Sequence, residues 1–181
     1  MSEPKPAPVT LVTGGTFGLG QAIALELARC GHRVVAFGLA EAQVSSTARG
    51  LDGLLSAARA AGLAERIDVL EADVSVEADM ARVAAHAVAR HGRIDGLVNN
   101  AAIGPLGTVL DTGREMFDRV LSVNVTGVYL ASRAVIPQMA GQGGGSIVNI
   151  GSGAGYGKPG MAAYAASKGA LLALSTAMAY D

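Results

Sequence analysis

Charge and cysteine are scarce in this sequence, and each scarcity excludes something. Only 16% of the 181 residues are charged, and 14 Lys and Arg against 15 Asp and Glu leave a formal net charge of −1. No basic block could follow a phosphate backbone, so nucleic acid is not an expected partner. Cys30 is the only cysteine, which rules out an internal disulfide and suits a reducing compartment. No group of Cys and His has the spacing of a metal site. His86 and His91 fall with Arg90 at the end of an amphipathic segment, where solvated residues that complement a helix dipole are the expectation. No apolar run reaches the length of a membrane span. Met1 to Pro8 lacks the apolar region of a secretory leader and reads as a loose tail. A soluble, cytoplasmic protein is expected, without nucleic-acid or membrane partners.

What is present is apolar and periodic. Half of the residues are hydrophobic, which fits an interior-rich α/β chain. Short apolar runs at Val9–Val12, Arg33–Phe37, Arg66–Glu71, Ile94–Val98 and Ser146–Ile150 read as strands, the last one buried. Between them lie helical patterns at Gln21–Cys30 (closed by Gly31), the second half of Glu41–Leu63, Glu77–Arg90 and Asp111–Met139, and an Ala-rich helix follows Gly160. Met80, Val83, Ala84, Ala87 and Val88 form the inward face of the third of these. Such alternation predicts an α/β fold, a doubly wound parallel sheet in three layers with about five strands. Residues 9–181 are expected to form one domain.

Two stretches carry chemistry. The first strand runs into Thr13-Gly14-Gly15-Thr16-Phe17-Gly18-Leu19-Gly20 and then a helix, the setting in which spaced glycines bind a dinucleotide. Backbone must approach a pyrophosphate closely there, and a helix N-terminus must point its N–H groups at it. The second stretch begins with Ser152 after the last strand and ends with Tyr164 and Lys168, four residues apart on one helix face. A phenol with a pKa of about 10 is a poor acid near neutrality. Lowering that value by roughly 3 units takes about 4 kcal/mol, which an ammonium about 4 Å away supplies at an effective dielectric near 20. Asn124 lies inside an apolar helical run, where an unpartnered amide would cost about 1–3 kcal/mol. No carboxylate ends the second strand, where one would accept the ribose hydroxyls of NAD; Gly38 and Leu39 are there instead. The polar run Gln43–Arg49 could hold a 2′-phosphate or be a solvated connection.

In this order, Thr13-Gly14-x3-Gly18-x-Gly20, Asp73, Asn99-Asn100-Ala101, Asn124, Ser152 and Tyr164-x3-Lys168 make the chain resemble the short-chain dehydrogenase/reductase family from about Val9 onward. The resemblance implies a Rossmann-type fold and hydride transfer between NAD or NADP and a small carbonyl or alcohol substrate. It implies that Gly14, Thr16, Phe17, Gly18, Leu19 and Gly20 wrap the pyrophosphate, that Asp73 and Val74 meet the adenine, and that Asn100 lies by the ribose. It implies Tyr164 as general acid or base, and Lys168 as the group that tunes it and holds the nicotinamide ribose. Ser152 would polarise the substrate oxygen, and Asn124 would anchor a water leading from Lys168 to solvent. Ala102 departs from the family pattern, which has glycine there. The Gly38-Leu39 pair and Phe17 leave the choice between NAD and NADP open. Family members continue into a sixth strand, a substrate-covering segment and a seventh strand, whereas this chain stops at Asp181. A non-catalytic dinucleotide-binding module is therefore the alternative. Homodimers or tetramers built through the Asp111–Met139 and Ala-rich helices are also implied.

Overall fold

The computed structural model describes residues 6–40 and 50–180. Five strands form one parallel sheet: β1 (Val9–Thr13), β2 (Arg33–Gly38), β3 (Ile67–Glu71), β4 (Gly96–Asn99) and β5 (Ser146–Asn149). Their order is β3-β2-β1-β4-β5. The chain thus winds outward from β1 in both directions, and the switch point lies between β1 and β4. Ligands of open α/β sheets bind at the carboxyl ends of the strands beside such a point.

Alternation along the strands builds the two faces of the sheet. Val9, Leu11, Val35, Phe37 and Leu97 pack with α3 (Glu77–His91) and α5 (Gly127–Gly141) in one core. Val12, Val34, Ala36, Ile67 and Val98 pack with α1 (Gly18–Arg29) and α2 (Leu51–Ala60) in the other. The expected inward residues of α3 hold: Met80, Val83, Ala84 and Ala87 are buried, and Val88 packs at the core's margin. Asp95 ties the start of β1 to β4, accepting from Val9 N–H at 2.8 Å. The Arg93 guanidinium, first, and that N–H hold its carboxyl below the usual range.

Several expectations need correction. β5 is not buried: it is the sheet edge, and its Val148 is 51% exposed. The pattern of one strand cannot reveal its place in the sheet. His86, Arg90 and His91 are not simply solvated. All three converge on Asp68 of β3, with His86 Nε2 at 3.1 Å, Arg90 Nε at 2.9 Å and His91 Nε2 at 3.0 Å from one carboxylate oxygen. The expected 111–139 helix starts later and ends later. It comprises α4 (Arg114–Leu121), a π-helical segment Ser122–Thr126, and α5. By length and a mean hydropathy of 1.3 alone, Arg114–Gly141 is apolar enough to cross a membrane, which no uninterrupted apolar run in the sequence announces. Its Val120, Val128, Ala131, Val135 and Met139 are nevertheless buried within the fold. The Gln43–Arg49 run lies outside the described residues.

The Ala-rich helix, α6 (Ala162–Tyr180), is fastened to the sheet by an amide–hydroxyl ladder. Asn99 Nδ2 donates to Asn149 Oδ1 at 2.8 Å, Asn149 Nδ2 to Ser175 Oγ at 2.8 Å, and Ser175 Oγ–H to the Leu171 carbonyl at 2.7 Å. That ladder fixes the helix that carries Tyr164 and Lys168.

Candidate active site

Two depressions meet at the carboxyl ends of the strands. A groove of 530 Å³ is lined by Gly14, Thr16, Phe17, Gly18, Leu19, Gly20, Asp73, Val74 and Asn100, among others. A cleft of 680 Å³ is lined by Ser152 and Tyr164, among others. Ala102 and Ile103, in the loop after β4, line both, so the groove opens onto the cleft there.

The groove is shaped by close backbone packing. Gly14 adopts φ +58°, and a Cβ on Gly20 would fall 2.1 Å from the Gly14 carbonyl oxygen and 2.5 Å from Asn100 Nδ2. Only glycine permits that approach. Asn100 Nδ2 donates to the Thr13 and Gly14 carbonyls, each at 3.1 Å. Thr13 Oγ1 accepts from the N–H groups of Asn100 and Ala101 at 3.0 and 2.9 Å. Phe17, the N-cap of α1, is extended and supplies no side-chain cap, so the first N–H groups of α1 remain free for an anion. Asp73 is positioned by its neighbours: its N–H donates to Asp79 Oδ2 at 2.8 Å, and its Oδ1 accepts from Ser75 N–H and Oγ–H at 2.8 and 2.7 Å. Gly38 and Leu39 line the groove at the end of β2. A Cβ on Gly38 would meet Thr16 Oγ1 at 2.8 Å, so the Thr16 side chain fills the space where a larger residue would begin.

In the cleft, Ser152 caps the 3₁₀ turn Gly153–Tyr156, its Oγ accepting from Ala154 N–H at 3.2 Å. Tyr164, half-buried, lies so close against Gly104 that a Cβ there would stand 3.2 Å from the ring. Lys168 does not line the cleft but stands behind it, 3% exposed. Its Nζ lies 5.7 Å from the Tyr164 ring centroid and donates to the Ile150 carbonyl at 2.6 Å. Burial pushes this ammonium below the ordinary lysine range.

Asn124 occupies the π-helical segment, a distortion that often marks functional sites. It is fully buried, and its amide is engaged on both ends. Oδ1 accepts from Ile103 N–H at 2.8 Å, while Nδ2 donates to the Ile103 carbonyl at 2.8 Å and to Ser167 Oγ at 2.9 Å. It makes no direct bond to Lys168 among the described residues. What it grips is Ile103, one of the two residues common to groove and cleft. Sequence reasoning missed Ile103 and Ser167 here, and it quoted Thr13 in the glycine motif without giving it a role. Ser167 Oγ–H donates to the Tyr164 carbonyl at 2.7 Å, linking Asn124 to the tyrosine's own turn. Thr13 and Ser167 each adjoin a residue already singled out, Gly14 and Lys168. For Ser167 adjacency was the only signal, and Ile103 gave none.

The short chain dehydrogenase family model matches residues 8–181. The chain belongs to the short-chain dehydrogenase family. It is 40% identical over 177 residues to 2-(R)-hydroxypropyl-CoM dehydrogenase of Xanthobacter autotrophicus, covering 96% of this chain and 68% of that protein. With Dehydrogenase/reductase SDR family member 4 of Homo sapiens it shares 37% identity over 181 residues, 99% of this chain and 62% of that one. The solved structure of NAD+-bound xylitol dehydrogenase superposes with a TM-score of 0.87 at 35% identity, covering 97% of this chain and 65% of that chain. Actinorhodin polyketide ketoreductase with NADPH gives a TM-score of 0.85 at 33% identity, covering 95% and 64%. The chain therefore spans about two thirds of the length of these short-chain dehydrogenases. The Rossmann-type reading of the sheet stands.

Proposed function

We propose that this chain transfers a hydride between NAD or NADP and a carbonyl or secondary-alcohol substrate, with Tyr164 as general acid in reduction and general base in oxidation. One observation carries the reading. Ser152 and Tyr164 share a cleft that opens at Ala102 and Ile103 onto a glycine-shaped groove.

The groove suits a dinucleotide, because a Cβ on Gly18 would point into open space while Gly14 and Gly20 bring backbone together without side chains. Gly14, Thr16, Phe17, Gly18, Leu19 and Gly20 would hold its pyrophosphate, Asp73 and Val74 its adenine, and Asn100 the adjoining ribose. When bound, the dinucleotide supplies or accepts the hydride. The neighbours solved with NAD+ and with NADPH support either form.

The chain's own residues manage the proton and the developing charge. Ser152 Oγ already accepts from Ala154 N–H, so its hydroxyl hydrogen is free to donate to the substrate oxygen. Tyr164 O–H gives its proton to the nascent alkoxide in reduction and recovers it in oxidation. The buried Lys168 ammonium, with the ring 5.7 Å away, stabilises negative charge on that oxygen in surroundings that screen it poorly. Asn124 acts as a positioning residue through Ile103 and Ser167.

The test is a screen of alcohols and ketones by nicotinamide absorbance, followed by Tyr164→Phe. Removal of the proton donor is expected to lower kcat by about 10²–10⁴-fold while dinucleotide still binds. Unchanged turnover in that variant overturns the assignment, and binding without turnover of any substrate favours the non-catalytic module. Tyr129, Ile136 and Leu172 are 49%, 43% and 40% exposed on α5 and α6, which supports pairing of two copies through these helices. Sedimentation is expected to show a dimer or tetramer at micromolar concentration; a monomer alone refutes the pairing.

A further inference from the structure

Among the described residues, the cleft contains one charged side chain. Besides Ser152 and Tyr164, its walls are Ala102, Ile103, Gly104, Gly153, Ala154 and Met161, all uncharged, and Lys158. No carboxylate is among them. The Lys158 ammonium has no ion pair and no hydrogen bond among the described residues. Behind the wall stands a second ammonium, that of Lys168, buried and likewise without a carboxylate. The region around Tyr164 is therefore positive, with nothing in these walls to neutralise it.

The backbone that carries Lys158 is held on both sides. On one side the 3₁₀ turn capped by Ser152 ends in Gly157, whose N–H donates to the Ala154 carbonyl at 2.9 Å. On the other side the Lys158 carbonyl accepts from Met161 N–H at 3.3 Å. That turn is clamped to the loop after β4, because Gly107 N–H donates to the Gly160 carbonyl at 2.8 Å and Ala162 N–H to the Gly107 carbonyl at 3.0 Å. A cation rooted in a fixed turn, on the same cleft as the substrate hydroxyl donors, can meet a charge on the substrate at little ordering cost beyond its own side chain. The groove does not need it. Lys158 is absent from the groove's lining, which has its own cation in Arg119 and the free N–H groups of α1.

We infer that Lys158 is a specificity-determining residue that selects carbonyl or alcohol substrates bearing an anionic group, such as a carboxylate. The inference rests on the hydride-transfer reading above. Lys158 is exposed, and an ammonium that meets a carboxylate at such a position is worth about two- to fivefold in affinity. The pairing is screened by salt.

The experiment compares acids with their neutral amides in the full chain: 3-oxobutanoate against 3-oxobutanamide, and 4-oxopentanoate against 4-oxopentanamide. The acid-to-amide ratio of kcat/KM is expected to be about two to five at low salt, to fall towards one in Lys158→Met, and to drop below one in Lys158→Glu. A purely structural role for Lys158 would change acid and amide alike and leave the ratio in place, which overturns the inference. Amide turnover with a wild-type ratio near one also overturns it, while leaving the oxidoreductase reading intact. If no ketone is turned over, the same acids are titrated by NMR. Acid binding that Lys158→Met weakens supports the anion site and counts against the hydride-transfer reading alone. Absence of acid binding sinks the inference.

Discussion

Lys168 shows how much of this site depends on a single buried charge. Its ammonium is 3% exposed, and it is satisfied by the Ile150 carbonyl and the Tyr164 ring instead of an anion. Burial disfavours the charged form, so the folded-state pKa lies below the ordinary lysine value of about 10.4. Between those two values the unfolded chain binds more protons than the folded one. Stability contributed by this group therefore rises with pH across that window, and it is lowest where lysine is charged in both states. Lys168→Met removes the titration. The stability of the wild type relative to Lys168→Met is expected to increase as pH rises towards about 10.4, as read from urea midpoints at several alkaline pH values. A flat or falling difference would show that the ammonium is not strained by burial. The same residues mark what could be read from the chain. Tyr164, Lys168, Ser152 and the glycines were legible because their chemistry demands particular residue types at particular spacings. Asn124 was legible as a polar intruder in an apolar run. Its partners were not, because Ile103 and Ser167 meet it only after three segments have folded together.

At the scale of elements, the loop between β1 and α1 is a packing device as well as the proposed cradle for a pyrophosphate. Gly20 is the second residue after the start of α1, yet it touches Gly14 and Asn100 so closely that a methyl group has no place. The offending atoms are a backbone carbonyl and an amide anchored by two hydrogen bonds, neither of which can swing aside. Gly20→Ala is expected to cost about 1–3 kcal/mol of stability and to weaken dinucleotide binding by more than tenfold, as measured by thermal melts and by titration of NADH fluorescence. A variant that binds as well as the wild type would mean that the loop relaxes freely. Element boundaries were legible to within a few residues, since strand and helix periods differ plainly. The π-helical segment around Asn124 was not, because it follows from the tertiary demand that the amide reach Ile103. Nor was the exposure of β5, which depends on what lies beside a strand and not on its own residues.

For the molecule as a whole, the sheet places groove and cleft on one edge, and the ligand that spans them should report on the entire fold. The groove draws on the loops that follow β1, β2, β3 and β4, on α1, the end of β2, α4 and the π-helical segment, so segments far apart in the chain must all be in place to form its walls. A ligand bound there and not by the unfolded chain raises stability by mass action. At a hundred times its dissociation constant the gain is about 2.7 kcal/mol, or roughly 5–10 °C in Tm for a chain of this size. NADH and NADPH tested separately decide the question left open by Gly38 and Leu39, because the preferred form shifts Tm at the lower concentration. Tyr164→Phe is expected to keep most of the shift and lose turnover, and Gly20→Ala to lose the shift. This pairing separates holding the dinucleotide from using it. No shift with either nucleotide at millimolar concentration in the wild type would rule out the groove as a dinucleotide site, and with it the reading of Tyr164 as a hydride-transfer acid.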